Sequence, residues 1–180
     1  MRVDVYSLVL HVALIGLCVV TVLLAGENRR LKQQLAPPAN GPAVGESVEP
    51  IRWLPLDGDE TTLDFASSGR DSLLFVFTTD CPACRETQSS WRDLHSNLAP
   101  AVDVVGISLS GPAETRSYRD DLGLSYRVGV PVEQQALVRA LSISGVPVTL
   151  RVGPDGRIVG SWSGTLSAVQ VSEVAAAGRG

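Results

Sequence analysis

The feature that most constrains the fold is an apolar run that leads directly into a pair of cysteines. Residues 72–77 (SLLFVF) form a continuous apolar stretch, which is typical of a strand buried on both faces of a sheet. Shortly after it comes Cys-Pro-Ala-Cys, from Cys81 to Cys84, and residues 82–98 have the spacing of an amphipathic helix. Proline is best tolerated at the first position of a helix. The sequence therefore predicts a buried strand followed by a helix, with Cys81 at the helix start and Cys84 in the first turn.

The segments around this unit alternate between strand and helix patterns. Strand patterns occur at residues 51–56, 61–65, 103–110, 126–130, 148–152 and 157–162, and helix patterns at 112–123, 133–142 and from 166 onward. An Asp-Gly turn separates the last two strands, which predicts an antiparallel hairpin. Alternating strands and helices that end in a hairpin and a helix indicate an α/β domain with a mixed sheet.

The first fifty residues have a different character from the rest of the chain. Residues 5–25 contain no Asp, Glu, Lys or Arg, and they match the roughly 20 residues that a helix needs to span a bilayer. No small-x-small cleavage site follows them, so we expect an uncleaved transmembrane anchor instead of a signal peptide. Residues 36–50 are rich in Pro, Gly and Ala, which is typical of a linker. We predict three segments: an anchor (1–26), a linker (27–50) and a folded domain (51–180).

The charges that flank the apolar segment do not fix its orientation, because basic residues stand on both sides of it. His11 and Cys18 lie within it without a polar partner in the segment, so we interpret them as tolerated singletons.

Composition excludes several functional classes. The net charge is −4 and the basic residues are scattered, so a nucleic-acid surface is not expected. Only three cysteines are present, which excludes a small scaffold held together by disulfides. A closed zinc site needs four ligands, and the two histidines and three cysteines do not supply a second pair near Cys81. Copper carriage is disfavoured because the single methionine is Met1. We expect neither a metal nor a cofactor.

The position of the cysteine pair favours redox chemistry. A disulfide between residues this close closes too small a loop to stabilise the fold much. The start of a helix, by contrast, favours an anion such as a thiolate, which predicts that Cys81 is the exposed nucleophile. Cys84 lies on the helix face that points to the core, so it is predicted to be the sheltered resolving thiol. The other residues on this predicted face are Thr87, Trp91, Leu94 and Leu98.

A second motif gives the pair a family resemblance. The strand, the CPAC helix, and SGVPVT (residues 144–149) before the hairpin resemble the thioredoxin-like superfamily, specifically the membrane-anchored TlpA/ResA-type thiol–disulfide oxidoreductases. The resemblance covers about residues 45–175 together with the anchor and linker. It implies a thioredoxin-like fold, a central mixed β-sheet flanked by helices, and a redox-active disulfide between Cys81 and Cys84. It also implies that Pro147 is cis, so that the Val146 backbone binds an incoming peptide beside the pair.

The resemblance implies a thiol–disulfide oxidoreductase at a membrane, and the residues beside the cysteines indicate its direction, because Pro82-Ala83 supplies no cation and Asp80 opposes a thiolate. We expect a reductase of protein disulfides that is fed by a membrane electron donor and acts on protein disulfide or dithiol substrates. The expected location is the inner (cytoplasmic) membrane, as a single-pass protein with its catalytic domain on the periplasmic side. Family analogy suggests a role in cytochrome c maturation, copper-site assembly or amine dehydrogenase maturation. No residue of this sequence distinguishes among these three roles.

Several residues depart from the family pattern. Asp80 replaces the tryptophan usual before the first cysteine, and its carboxylate opposes a thiolate at Cys81. Phe75 and Thr87 stand where relatives carry a buried acid, so the proton acceptor for Cys84 is not identified. Arg85 matches a basic residue that is usual after the second cysteine, although a solvated surface charge explains it equally well.

Two alternative functions remain open. Thr78 precedes Cys81 as in the Thr-x-x-Cys motif of peroxiredoxins, although Leu74 replaces the proline that begins that motif. A peroxiredoxin-like thiol peroxidase is therefore one alternative. A non-catalytic docking module of a periplasmic assembly is the other, and the presence of both cysteines argues against it.

Overall fold

The computed structural model describes residues 5–34 and 41–177, and within the first helix it describes side chains at His11 and residues 13–26. The chain divides into two compact units, residues 1–38 and 39–180. The first unit contains helix α1 (Val5–Gln34). In the part of the chain that the structure describes, no helix combines the length and apolar character needed to cross a membrane. Residues 1–4 of the predicted anchor and 35–40 of the predicted linker lie outside the described residues.

The second unit contains the α/β domain expected from the sequence. It also includes residues 41–50 of the predicted linker, where Val48 is buried in a core and its backbone N–H donates to the Gly156 carbonyl at 2.9 Å. Its strands are β1 (Ile51–Pro55), β2 (Thr61–Leu63), β3 (Ser72–Phe77), β4 (Asp103–Ser108), β5 (Arg127–Pro131), β6 (Val148–Val152) and β7 (Ile158–Ser163). Its helices are α2 (Pro82–Leu98), α3 (Pro112–Leu122), α4 (Gln134–Ala140) and α5 (Ala168–Ala176). Each predicted strand and helix corresponds to one of these elements.

One mixed sheet contains the strands in the order β2-β1-β5-β4-β3-β6-β7. Strands β3, β4 and β5 are parallel, whereas β6 is antiparallel to both β3 and β7. The predicted hairpin is confirmed, with Val148 opposite Ser163. Every residue of β3 is buried, as its continuous apolar sequence predicts. The sheet therefore places the carboxyl end of β3, where the cysteines follow, beside the start of β6.

A hydrophobic core lies on each face of the sheet. One core contains Leu137 of α4 together with Trp53 and Ile107 from the strands. The other contains Trp91 of α2 and Val174 of α5 together with side chains of α3 and the strands. The fold is a sheet covered by helices on both faces, and Cys84 belongs to the second core.

Helix α2 is held on the sheet by a tryptophan. The ring of Trp91 stacks on that of Phe75 with centroids 4.6 Å apart and an angle of 8° between the planes. Its indole N–H donates to the hydroxyl oxygen of Thr149 on β6, at 2.9 Å. A buried indole thus has both an apolar contact and a partner for its polar atom. Two strands fix this helix, and with it the cysteine pair.

A buried ion pair joins β6 to the start of β3 and to α5. Arg151 is 3% exposed, and its guanidinium donates to the Asp71 carboxylate at 2.7 and 3.1 Å. It also donates to the carbonyl of Val174 at 3.1 Å. These partners replace the hydrogen bonds to water that the guanidinium loses when it is buried.

Candidate redox site

Cys81 caps the amino-terminal end of α2. Its sulfur accepts a hydrogen bond from the backbone N–H of Cys84 at 3.2 Å, in the manner of a capping side chain, and Pro82 begins the helix. Unpaired backbone N–H groups at this end favour negative charge, so the position suits a thiolate. The Cys81 side chain is partly buried and reachable from solvent. The structure places Cys81 where the sequence predicted it.

Cys84 is fully buried behind Cys81. Burial, with a smaller contribution from the hydrogen bond to the Cys81 side chain, raises the pKa of the Cys84 thiol to about 12. A hydrogen bond from the backbone N–H of Thr78 acts in the opposite direction. Cys84 is therefore a neutral thiol at neutral pH. Both cysteines of the pair are free thiols in this structure, which represents the reduced form.

The loop before β6 contacts the nucleophile. The Val146–Pro147 peptide bond is cis, as the resemblance predicted, and the Val146 carbonyl oxygen lies 3.6 Å from the Cys81 sulfur. The Pro147 carbonyl accepts from the backbone N–H of Gly164 at 2.8 Å, which ties the loop to the end of β7. The two motifs, far apart in sequence, thus meet at one sulfur atom.

A second cis bond, Ala99–Pro100, follows the end of α2. Nothing in the sequence pattern indicated it.

Hydroxyl groups connect the loop before α2 to the loop before α3. Both the backbone N–H and the hydroxyl of Thr79 donate to the Ser110 hydroxyl oxygen, at 3.0 and 3.1 Å. The Ser110 N–H donates to the Ser108 hydroxyl oxygen at 3.1 Å, and the Thr115 hydroxyl reaches the same oxygen at 2.7 Å. The chain next to Cys81 is thereby fixed to the neighbouring parallel strand.

Behind Cys84 the polar groups are neutral. Gln88, one helical turn after Cys84, donates from its amide nitrogen to the Tyr118 hydroxyl at 3.3 Å and accepts from the Tyr126 hydroxyl at 2.7 Å. Burial raises the pKa of the Tyr118 hydroxyl and that of the Tyr126 hydroxyl above the ordinary value for tyrosine. Sequence reasoning missed this network. The only signal for it was that position 88 falls on the same helix face as Cys84 and Trp91.

The positions where relatives carry an acid are occupied as the sequence indicated. Phe75 is fully buried between the rings of Trp91 and Tyr126. The hydroxyl oxygen of Thr87 accepts from the backbone N–H of Leu166 at 3.4 Å. Glu86 is exposed on the outer side of the helix. Among these positions, none therefore brings a carboxylate to Cys84.

Two charged residues flank the pair. Asp80 is exposed directly before Cys81. The Arg85 guanidinium carbon lies 5.3 Å from the centre of the Tyr118 ring, in a cation–π arrangement. Arg85 thus has a specific contact as well as solvent exposure. Within the described residues, no group of three or more His, Cys, Asp and Glu side chains is arranged to hold a metal ion.

Comparison with known protein families identifies the family of this chain. Residues 44–161 match the AhpC/TSA family, which is more than half of the chain. The chain belongs to the AhpC/TSA family. This family membership supports an enzyme of the thioredoxin-like oxidoreductase class.

Solved structures similar to this AhpC/TSA-family protein show the same fold. The thioredoxin domain of a thiol-disulfide oxidoreductase from Bacteroides vulgatus has a TM-score of 0.62 at 18% identity, covering 73% of this chain and 94% of that one. StoA from Bacillus subtilis has a TM-score of 0.58 at 15% identity, covering 72% and 98%. A DsbF homologue from Corynebacterium diphtheriae has a TM-score of 0.62 at 19% identity, covering 77% and 94%. A search of curated proteins gave no match. The thioredoxin-like fold is confirmed, and the closer TlpA/ResA-type assignment stays a prediction.

Proposed function

We propose that this protein is a membrane-tethered reductase of protein disulfides, with Cys81 as the nucleophile and Cys84 as the resolving thiol. The observation that carries the proposal is the asymmetry of the pair. Cys81 is reachable and capped onto a helix start, whereas Cys84 is fully buried with a raised pKa. One thiol can meet a substrate and the other cannot, which is the division of labour that disulfide exchange requires.

The reaction proceeds in two exchange steps. The Cys81 thiolate attacks one sulfur of the substrate disulfide, so that a mixed disulfide forms and the other substrate sulfur leaves as a thiolate with the electron pair. The Cys84 sulfur then attacks the Cys81 sulfur. The Cys81–Cys84 disulfide forms, the second substrate sulfur leaves, and the proton lost from Cys84 is balanced by one taken up by the leaving thiolate. Two electrons pass to the substrate, and a dithiol donor must return them.

The loop that contains Val146 and Pro147 is proposed to bind the substrate chain. Its carbonyl at Val146 lies 3.6 Å from the attacking sulfur, so a peptide paired with this backbone would present its own cysteine to Cys81. Backbone pairing of this kind does not depend on the substrate sequence, which suits an enzyme that reduces protein disulfides.

The direction of the reaction and the tether are part of the proposal. The dipeptide between the cysteines is Pro82-Ala83, which contributes no cationic side chain to stabilise a thiolate, and Asp80 adds an opposing charge. Both features favour a reductant over a strong oxidant. The uncharged residues 5–25 support an anchor in the cytoplasmic membrane, with the domain on the periplasmic side and a membrane protein as electron donor.

Trapping of mixed disulfides tests the assignment. Cys84→Ser retains the nucleophile but removes the thiol that resolves the mixed disulfide. It is therefore expected to accumulate disulfide-linked complexes with substrate proteins, which a reducing agent cleaves. Cys81→Ser is the matched control and is expected to trap nothing. Equal trapping by the two variants would contradict the roles given to the cysteines.

Activity assays separate the alternatives. The wild-type protein is expected to reduce insulin disulfides when it is supplied with a dithiol. Consumption of peroxide without insulin reduction would instead favour a thiol peroxidase, to which Thr78 and the family match point. Neither activity, together with binding of a partner, would favour a docking module.

A further inference from the structure

The residue directly before the nucleophile carries a negative charge. Asp80 is exposed, and its carboxylate is near enough to the cysteine pair to contribute, as the smallest cause, to the raised pKa of Cys84. Some surface carboxylates elsewhere in the domain form ion pairs: Asp57 contacts Arg119, and Asp103 contacts Arg127. An exposed carboxylate thus lies directly before the nucleophile and beside the cysteine pair.

The surface around Cys81 offers little that would neutralise this charge. The chain beside Cys81 contributes Thr79 and Pro82, Thr79 is hydrogen-bonded to Ser110, and the Cys81 sulfur contacts the Val146 carbonyl; all four of these residues are uncharged. The nearest cation in sequence, Arg85, has its guanidinium over the Tyr118 ring.

A second carboxylate lies on the adjoining loop. Glu114, in the first turn of α3, folds its side chain back against Gly111. Ser110 in this loop is hydrogen-bonded to Thr79, which lies two residues before Cys81. The loop before α2 and the first turn of α3, whose neighbourhoods are joined through Thr79 and Ser110, thus each carry a carboxylate.

We propose that Asp80 is a specificity-determining residue that selects disulfides flanked by positive charge. The inference rests on the proposed reductase function and names its substrate class: protein disulfides with a Lys or Arg close to the cysteine that Cys81 attacks. A cation placed about 5 Å from the carboxylate in a largely aqueous setting gains enough Coulomb energy to raise the rate by roughly fivefold, and an anion loses about as much. The effect is expected to fall at high salt because the site is exposed.

The chemical step is the exchange described above. The Cys81 thiolate forms a bond to one substrate sulfur, the substrate S–S bond breaks, and the departing thiolate keeps the electron pair and takes up a proton from water. Asp80 forms no bond in this step. It changes how often a substrate of a given charge reaches the thiolate.

Three small disulfides of different charge test the proposal. The reduced full-length protein, in a non-ionic detergent, is mixed with cystamine (dicationic), bis(2-hydroxyethyl) disulfide (neutral) or 3,3′-dithiodipropionate (dianionic). The second-order rate of enzyme oxidation is measured for the wild type and for Asp80→Asn. Comparing each variant with the wild type on the same substrate removes the difference in intrinsic reactivity among the three disulfides.

We expect Asp80→Asn to lower the rate with cystamine relative to the neutral disulfide by about fivefold and to raise the relative rate with the dianion by a similar factor. Any general change in Cys81 reactivity is expected to appear with the neutral substrate and to cancel in these ratios. Asp93→Asn is the matched control, because Asp93 is an exposed carboxylate on helix α2, well after the cysteine pair, and it is expected to leave all ratios unchanged.

The outcomes distinguish the two proposals. If the wild type reacts with all three disulfides and Asp80→Asn leaves the ratios as they were, the selectivity is overturned while the reductase function stands. The same conclusion follows if Asp93→Asn changes the ratios as much as Asp80→Asn. If the wild type reacts with none of the three, the proposed function itself fails.

Discussion

Alkylation of the reduced protein is expected to label Cys81 far faster than Cys84. With a pKa of about 12, only about one Cys84 thiol in 10⁵ is ionised at pH 7, and the side chain is also fully buried. Because the thiolate is the reactive species, labelling of Cys84 by iodoacetamide should rise about tenfold with each pH unit up to the limit at which the fold persists. The raised pKa means that Cys84 stays protonated well above the pH at which an ordinary thiol ionises.

The experiment uses samples quenched over time, with each cysteine followed separately in its own peptide by mass spectrometry. The Cys81→Ser variant isolates Cys84, and its pKa should remain above the ordinary value because burial, the largest cause of the shift, is retained. Labelling in urea is the control, since both thiols should react at similar rates once the core is open. Labelling of folded Cys84 as fast as Cys81 at pH 7 would refute the reasoning, as would an ordinary thiol pKa in the Cys81→Ser variant.

Three further predictions concern topology, potential and stability. Reporter fusions after Gln34 should give alkaline phosphatase activity, whereas a signal only from a reporter active in the cytoplasm would contradict the predicted topology. Equilibration with glutathione should give a potential of roughly −220 to −280 mV, far from the roughly −120 mV of a strong oxidant, and Asp80→Trp should raise it; a value above about −150 mV would contradict the reductase assignment. Asp71→Asn should destabilise the domain by about 3 kcal/mol and lower Tm by about 10 °C, because it leaves Arg151 buried without its carboxylate. Asp155→Asn, which loses an exposed pair at 3.8 Å, should change stability by less than about 1 kcal/mol in thermal unfolding.

Local patterns in the sequence were sufficient for the elements and for the cysteine pair. The continuous apolar run at β3 and the Asp-Gly turn after β6 each determine a local structure, because burial on both faces and a tight turn leave a recognisable residue pattern. Cys84 could be assigned to the buried face of α2 from helical spacing alone.

Contacts between distant segments could not be predicted in the same way. Gln88 was not among the residues predicted to face the core. Its tyrosine partners come from α3 and from just before β5, and only the packing of those elements brings them together. The burial of Arg151 in a strand could not be predicted from the sequence either, because its partner Asp71 is 80 residues away. Sequence reasoning likewise identified Arg85 but not the Tyr118 ring beneath it.

The position of β3 in the interior of the sheet has a consequence for the kind of substrate that the proposed reductase can process. Both edges of β3 are paired, with β4 on one side and β6 on the other, so its amide hydrogens should exchange with solvent only when the whole domain unfolds. The cysteine pair follows this strand, and the loop opposite it precedes β6, so the reacting atoms are held by the segments that open last. An active site held by such rigid segments changes its conformation little when a substrate binds. The flexibility needed for three sulfur atoms to align must then come from the substrate, which favours disulfides in mobile or unfolded segments over those locked in a finished fold.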